Sequence, residues 1–92
     1  MLYNGIVDTI TKICKEKREA VKTYMFCNAH LDPVWLWQWE SGMMEGISTY
    51  RAASGFIDEY PDFVFNHNEA LIYQWVEEHE PELFERIREQ VA

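Results

Sequence analysis

Basic residues and long apolar runs are both scarce in this sequence. Its 92 residues hold 8 Lys and Arg against 16 Asp and Glu, which gives a formal charge of −8. Binding to phosphates requires a basic stripe, so this balance argues against a nucleic-acid or anionic-membrane partner. No apolar run approaches the roughly 20 residues of a membrane span, and Asn4, Asp8 and Lys12 interrupt any signal-peptide core near the N-terminus. The sequence therefore predicts a cytoplasmic location and no membrane contact.

Cysteine is scarce as well, with only Cys14 and Cys27 in the chain. The two lie far apart and match no metal or redox spacing. Cys14 falls in a helical pattern and Cys27 in a strand pattern, so both are predicted to be buried free thiols. Apolar residues make up 48% of the chain and aromatic residues 15%, which excludes a disordered acidic tail. The length allows one small domain or a piece of a larger one.

Apolar spacing and proline positions divide the chain into alternating elements. Helices are predicted where apolar residues recur at steps of three and four, and strands where short apolar runs are rich in strand formers. Pro61 is expected to end one helix at Tyr60, and Pro81 is expected to start another. Asn66 or Asn68 is expected to cap the helix that precedes Pro81. The predicted helices are Leu2 to about Lys17, Trp35 to Tyr60 or only the part of it after Ser41, a helix through Leu71 to Val76, and a helix from Pro81 to Val91. The predicted strands are Thr23–Ala29 and Phe63–His67.

The predicted order is helix, strand, helix, strand, helix, helix. Such alternation is typical of an α/β fold in which parallel strands are joined by crossover helices. Strands of a parallel sheet are covered on both faces, so the first strand is predicted to be buried. Two strands do not complete such a sheet. We therefore expect residues 1–92 to form an incomplete piece of a larger α/β domain.

The densest group of chemically capable residues follows the first predicted strand. His30 and Asp32 lie two residues apart, and residues two apart in a strand point to the same side. Ligand sites of parallel α/β sheets and barrels lie at the carboxyl ends of the strands, where this pair falls. An imidazole and a carboxylate at this spacing suit Zn²⁺ or a similar divalent ion. Equally, His30 can bond to backbone while Asp32 caps the next helix, and the spacing alone does not separate the two interpretations.

Tryptophans next to this pair favour a site that binds sugar. Trp35 is the tryptophan nearest to the pair in sequence, and an indole offers a rigid platform for the flat C–H faces of a sugar. Trp35 is therefore the predicted substrate-binding residue. Trp37, Trp39 and Trp75 are predicted to lie in the core, because large residues at helical spacing usually do. His67, near the second strand, has no partner visible in the sequence and is not predicted to be a ligand.

The segment from His30 to Glu40 closely resembles the first conserved block of the glycoside hydrolase family 38 α-mannosidases. The similarity extends from about Tyr24 to Val91. It is carried by His30-Leu31-Asp32-Pro33-Val34-Trp35-Leu36-Trp37-Gln38-Trp39-Glu40, by Glu45-Gly46 and Thr49, by Tyr60-Pro61-Asp62-Phe63-Val64-Phe65, by Glu69-Ala70-Leu71 with Tyr73 and Trp75, and by Pro81-Glu82-Leu83-Phe84 with Ile87.

This resemblance implies a zinc-dependent, retaining α-mannosidase that acts on terminal α-mannosides of glycans. His30 and Asp32 would be two of four zinc ligands, and Trp35 would stack against the mannose. The resemblance also implies a β/α barrel-like catalytic domain of which residues 1–92 form the N-terminal portion. The family's nucleophile, its acid/base carboxylate and its other zinc ligands map onto no residue here. No catalytic residue is therefore assigned within this chain, and the chain alone is expected to be inactive.

The sequence is compatible with two other functions. The tryptophan cluster without catalytic carboxylates is compatible with a non-catalytic carbohydrate- or metal-binding module. Unpaired strand edges invite pairing with another chain, so an assembly piece that self-associates is the other alternative.

Overall fold

A computed structural model of the chain describes residues 2–20 and 22–92. The described part is a mixed α/β structure of four helices and two short strands, which confirms the predicted fold class. In chain order the elements are α1 (Leu2–Ala20), β1 (Cys27–Asn28), α2 (Trp39–Glu59), β2 (Phe65–Asn66), α3 (Ala70–His79) and α4 (Pro81–Val91).

Prolines set the helix ends as predicted. Tyr60, the residue before Pro61, leaves helical geometry at φ −120° and ψ 108° and forms the C-cap of α2. Pro81 opens α4, where its missing N–H costs no helical hydrogen bond. The sharp turn through Glu80 places α4 against α3, so the last three helices pack together.

The core lies where α2, α3 and α4 meet. Ile72 and Val76 of α3 are completely buried, and Leu83 of α4 is 6% exposed. Each such side chain contributes about 1.5–3 kcal/mol relative to an exposed position. The buried cluster that holds the three helices together comprises Ile47, Tyr50, Ile72, Trp75, Val76 and Leu83.

The strands pair in parallel, with Cys27 opposite Phe65 and Asn28 opposite Asn66. The parallel pairing agrees with the sequence, whereas the predicted strand lengths and burial are wrong. Each strand has two residues, and both residues of β1 are exposed. Burial of a parallel strand depends on further strands and helices that cover it. In the part of the chain described here, β1 has β2 as its one neighbouring strand.

The prediction of buried thiols and of two core tryptophans is also wrong. Cys14 and Cys27 are free, as expected, but both are exposed. Trp37 and Trp39 are 42% and 50% exposed, whereas Trp75 is buried at 8%. The apolar side of α1 is open to solvent, with Ile6, Ile10 and Ile13 about half exposed, because α1 does not pack on the three-helix core in the described residues.

A polar link joins the ends of α2 and α4. The Arg86 guanidinium donates to the Asp58 carboxylate, and Gln90 Nε2 donates to Asp58 Oδ1 at 2.8 Å. The Ser54 hydroxyl, which is buried, donates to Gln90 Oε1 at 2.9 Å. The hydrogen bond from Arg86, followed by that from Gln90, lowers the pKa of Asp58 below its ordinary value.

This link predicts an acid-dependent stability. Because the folded-state pKa of Asp58 is lowered, its contribution is present above the ordinary carboxyl pKa of about 3.9 and is lost as the pH falls through the folded-state pKa. We expect the unfolding free energy from urea titrations to fall less between pH 6 and pH 3 in Asp58→Asn than in the parent protein. Asp62→Asn, which removes an exposed carboxylate of the same type, is the control. Equal acid sensitivity of Asp58→Asn and the parent protein would contradict the assignment.

Candidate metal and sugar site

The candidate site begins at the carboxyl end of β1. The chain leaves the ladder after Asn28, runs through His30 and Asp32, and bends from Pro33 to Trp37 before α2 starts at Trp39. Pro33 lacks a backbone N–H, so it cannot continue a strand. The motif singled out by sequence is therefore a connecting segment between β1 and α2, at the end of the sheet where ligand sites of parallel α/β folds form.

Helix α2 holds this segment by close backbone contact at Gly42. A Cβ built on Gly42 would lie 2.0 Å from the Pro33 carbonyl oxygen and 3.0 Å from Trp37 Nε1. Only glycine lets the helix approach so closely. The position of Pro33, one residue after Asp32, is thus set by the packing of α2 against the segment.

His30 and Asp32 face each other across a short distance. His30 Nε2 lies 3.6 Å from Asp32 Oδ2, and the two side chains are 91% and 49% exposed. Two ligand atoms at about 2.0–2.1 Å from one tetrahedral zinc ion lie about 3.3 Å apart. The nitrogen and oxygen donors therefore fit one shared divalent ion after a shift of a few tenths of an ångström. This geometry suits the metal interpretation, and the N-cap of α2 is Gln38 rather than Asp32.

Two ligands do not make a complete zinc site, which takes three or four from the protein. Within residues 2–20 and 22–92 no group of three or more His, Cys, Asp or Glu side chains could hold a metal ion. The pair thus supplies two of the three or four protein ligands that a zinc site takes.

The tryptophans next to the pair have distinct surroundings. Trp35 is 64% exposed, which leaves its indole available to a ligand. Trp37 lies against Gly42, and Trp39 packs on Trp75 with ring centroids 6.1 Å apart. Trp37 and Trp39 thus contact the helices around the segment, while the Trp35 indole is mostly exposed.

Sequence reasoning missed a second polar group, at the end of β2. Tyr50 Oη lies 2.7 Å from His67 Nδ1, and the Tyr73 hydroxyl donates to the His67 carbonyl at 2.9 Å. The His67 ring also stacks parallel to Phe65 at 6.0 Å. Burial, and next the neighbouring Tyr73, raise the pKa of Tyr50 far above its ordinary value, so its hydroxyl stays protonated. Part of this group could have been predicted from the sequence, because Tyr50 and Tyr73 both fall on helix faces directed at the core.

The predicted caps at Asn66 and Asn68 are wrong. The residue at the N-cap of α3 is Glu69, with φ −79° and ψ 94°, and its side chain makes no capping hydrogen bond. Asn66 instead belongs to β2, and Asn68 is exposed between the strand and the cap. The general preference for asparagine at helix caps did not decide where α3 begins, because the ladder and the Tyr73 contact fix where β2 ends before it.

Residues 20–92 match the family described as the glycosyl hydrolases family 38 N-terminal domain. The chain belongs to this family. The match includes both strands, helices α2 to α4 and the segment that carries His30, Asp32 and Trp35. All but the last residue of α1 lies before it.

Relatives with assigned names agree with this membership. The chain is 38% identical over 65 residues to "Alpha-mannosidase G" of Dictyostelium discoideum, a match that covers 71% of this chain and 6% of that protein. It is 24% identical over 72 residues to "Alpha-mannosidase" of Saccharomyces cerevisiae, covering 78% of this chain and 7% of that protein. It is 27% identical over 62 residues to "Alpha-mannosidase 2C1" of Homo sapiens, covering 67% and 6%.

This family 38 chain thus spans 6–7% of the length of the curated relatives it matches. No solved structure matches it significantly. Among the described residues, no helix combines the length and the apolar character that crossing a membrane requires.

Proposed function

We propose that the protein carrying this chain is a zinc-dependent, retaining α-mannosidase that hydrolyses terminal α-mannosides of glycans. The observation that supports this most directly is the His30–Asp32 pair, with donor atoms 3.6 Å apart at the carboxyl end of β1. Membership of the glycosyl hydrolase family and relatives named α-mannosidases point to the same substrate class.

In this proposal each residue of the segment has one role. His30 Nε2 and Asp32 Oδ2 are two of the ligands that hold zinc. The ion, when bound, acts as a Lewis acid toward sugar hydroxyls. The exposed indole of Trp35 stacks against the apolar face of the mannose and fixes its orientation beside the metal pair.

We also propose an architecture for the catalytic domain. The parallel pair β1–β2, with α2 between its strands, would be the first part of a β/α barrel-like catalytic domain. Retaining glycosidases need two carboxylates about 5–5.5 Å apart, one as nucleophile and one as acid/base. The family's nucleophile and acid/base carboxylates map onto no residue of this chain, so we expect the 92 residues alone to be inactive.

The test uses the enzyme that carries this chain and an aryl α-mannoside. We expect turnover that is lost on removal of metal by a chelator and restored by Zn²⁺, with the first sugar product released as the α-anomer. The purified 92-residue chain should release no aryl group under the same conditions. Hydrolysis by the 92 residues alone would overturn the statement that they lack essential parts. Turnover by a stably metal-free enzyme would overturn the role of zinc.

A non-catalytic carbohydrate-binding module is the second candidate. Its support is the exposure of Trp35, Trp37 and Trp39 around one short segment. Calorimetric titration of the chain with mannose separates the candidates: saturable micromolar binding by the 92 residues favours a module, and its absence favours a catalytic piece. Self-association through the edges of β1 and β2, and a cytoplasmic location, stay predictions from the sequence.

A further inference from the structure

The ladder between β1 and β2 ends two residues before the metal pair. The backbone N–H of Cys27 donates to the Val64 carbonyl at 2.7 Å, as a parallel ladder with Cys27 opposite Phe65 requires. Asn28 opposite Asn66 is the last pair of the ladder, and in this register the backbone N–H of Ala29 faces the Asn66 carbonyl.

The Asn28 side chain adds a bond to this last carbonyl of the ladder. Its Nδ2 donates to the Asn66 carbonyl oxygen at 2.6 Å, across 38 residues of sequence. The carbonyl at the end of β2 is thus held by a side chain from the last residue of β1, two residues before His30.

The next carbonyl along the chain, one residue after β2, is also held by a side chain. The Tyr73 hydroxyl donates to the His67 carbonyl, and Tyr50 holds the His67 ring. The end of β2 is therefore a fixed anchor, tied to α2 and α3 through the core. A side chain of β1 that bonds to this anchor fixes where β1 ends.

We propose that Asn28 is a positioning residue for the metal pair. It lies two residues before His30, and its bond to Asn66 sets the point at which the segment with His30 and Asp32 leaves the sheet. The proposal rests on the proposed function, because it assumes that the pair binds zinc. Asn28 acts through the position of the ligands and touches neither the ion nor the sugar.

The experiment measures zinc affinity in the enzyme that carries this chain, by competition with a chromophoric chelator. We expect Asn28→Ala to raise the zinc Kd by about 10–100-fold, the range found when groups that orient metal ligands are removed. The absorption bands of the Co²⁺-substituted enzyme should shift in the same variant, since they report ligand geometry. Asn28→Gln, which keeps the amide donor, should lie closer to the parent Kd than Asn28→Leu, which keeps only the size.

Asn4→Ala is the matched control, because Asn4 is exposed on α1 and lies outside the family match. Unchanged zinc Kd and Co²⁺ spectra in both Asn28→Ala and Asn28→Leu would overturn the positioning role while the zinc enzyme itself stands. Failure of the parent enzyme to bind zinc would instead overturn the proposed function. If Asn28→Ala does not fold, the comparison of Asn28→Leu with Asn28→Gln decides the question.

Discussion

Replacing Gly42 with alanine is expected to destabilise the protein by about 3 kcal/mol, at the upper end of the usual cost of overpacking. The added Cβ would meet the Pro33 carbonyl oxygen at 2.0 Å, and Trp37 Nε1 at 3.0 Å. Backbone cannot rotate away as a side chain can. Helix α2 and the segment before it must therefore separate, which exposes part of their contact. Urea unfolding followed by circular dichroism measures the loss.

The same helix supplies a matched control at Gly55. Nothing lies within 4 Å of a Cβ built there, so alanine fits without contact. Gly55→Ala should stabilise by up to about 1 kcal/mol, because alanine is the better helix former. Both substitutions change helix propensity equally, so the difference between them isolates the contact with Pro33. Equal stability of the two variants would show that the close approach does not exist in solution.

Removal of the His30 imidazole should nearly abolish activity in the proposed enzyme. A metal that acts as a Lewis acid contributes several kcal/mol to the transition state, and about 4 kcal/mol corresponds to about 1,000-fold in rate. We therefore expect His30→Ala to lower kcat/KM on an aryl α-mannoside by about 1,000-fold or more. Because the nitrogen donor of the 3.6 Å pair is lost, zinc content measured by atomic absorption should fall with it.

The control for this prediction is His79→Ala. His79 is a half-exposed histidine in the last turn of α3, and its nearest acidic partner is Glu78 at 4.0 Å. We expect this variant to keep its zinc and to retain activity within about twofold, because the effect of a surface substitution is usually within 0.5 kcal/mol. A His30→Ala enzyme that keeps both zinc and turnover would remove His30 from the metal site.

Local chemistry explains which parts of the fold followed from the sequence. Pro61 and Pro81 act on their own neighbours through sterics and a missing N–H, and both mark helix boundaries in the structure. The parallel pairing also followed, because a helix as long as α2 separates the two strand patterns. The two proline boundaries depend on no distant contact.

Burial and side-chain partners could not be predicted in the same way. Trp37 and Trp39 are apolar at helical spacing, yet they lie at the edge of the core, where three helices do not enclose them. The contact of Tyr50 with His67 joins residues 17 apart, and the bond from Asn28 to Asn66 joins residues 38 apart. Such pairs depend on strand register and helix packing. The metal pair could be predicted because His30 and Asp32 lie two residues apart in sequence. The side chains that make the contacts around it lie far apart in sequence and could not be paired in that way.

The 38-residue separation between the paired ends of β1 and β2 has a consequence for the order of folding. A single residue, Glu80, joins α3 to α4, so contacts between these two helices close small loops. The contact of Ser54 in α2 with Gln90 in α4 spans 36 residues, and the pairing of β1 closes a loop of about the same size, whose entropic cost grows with its length. Contacts of low sequence separation generally form faster. We therefore expect α3 and α4 to pair first, and the segment with His30 and Asp32 to dock later, together with the other contacts of long sequence separation.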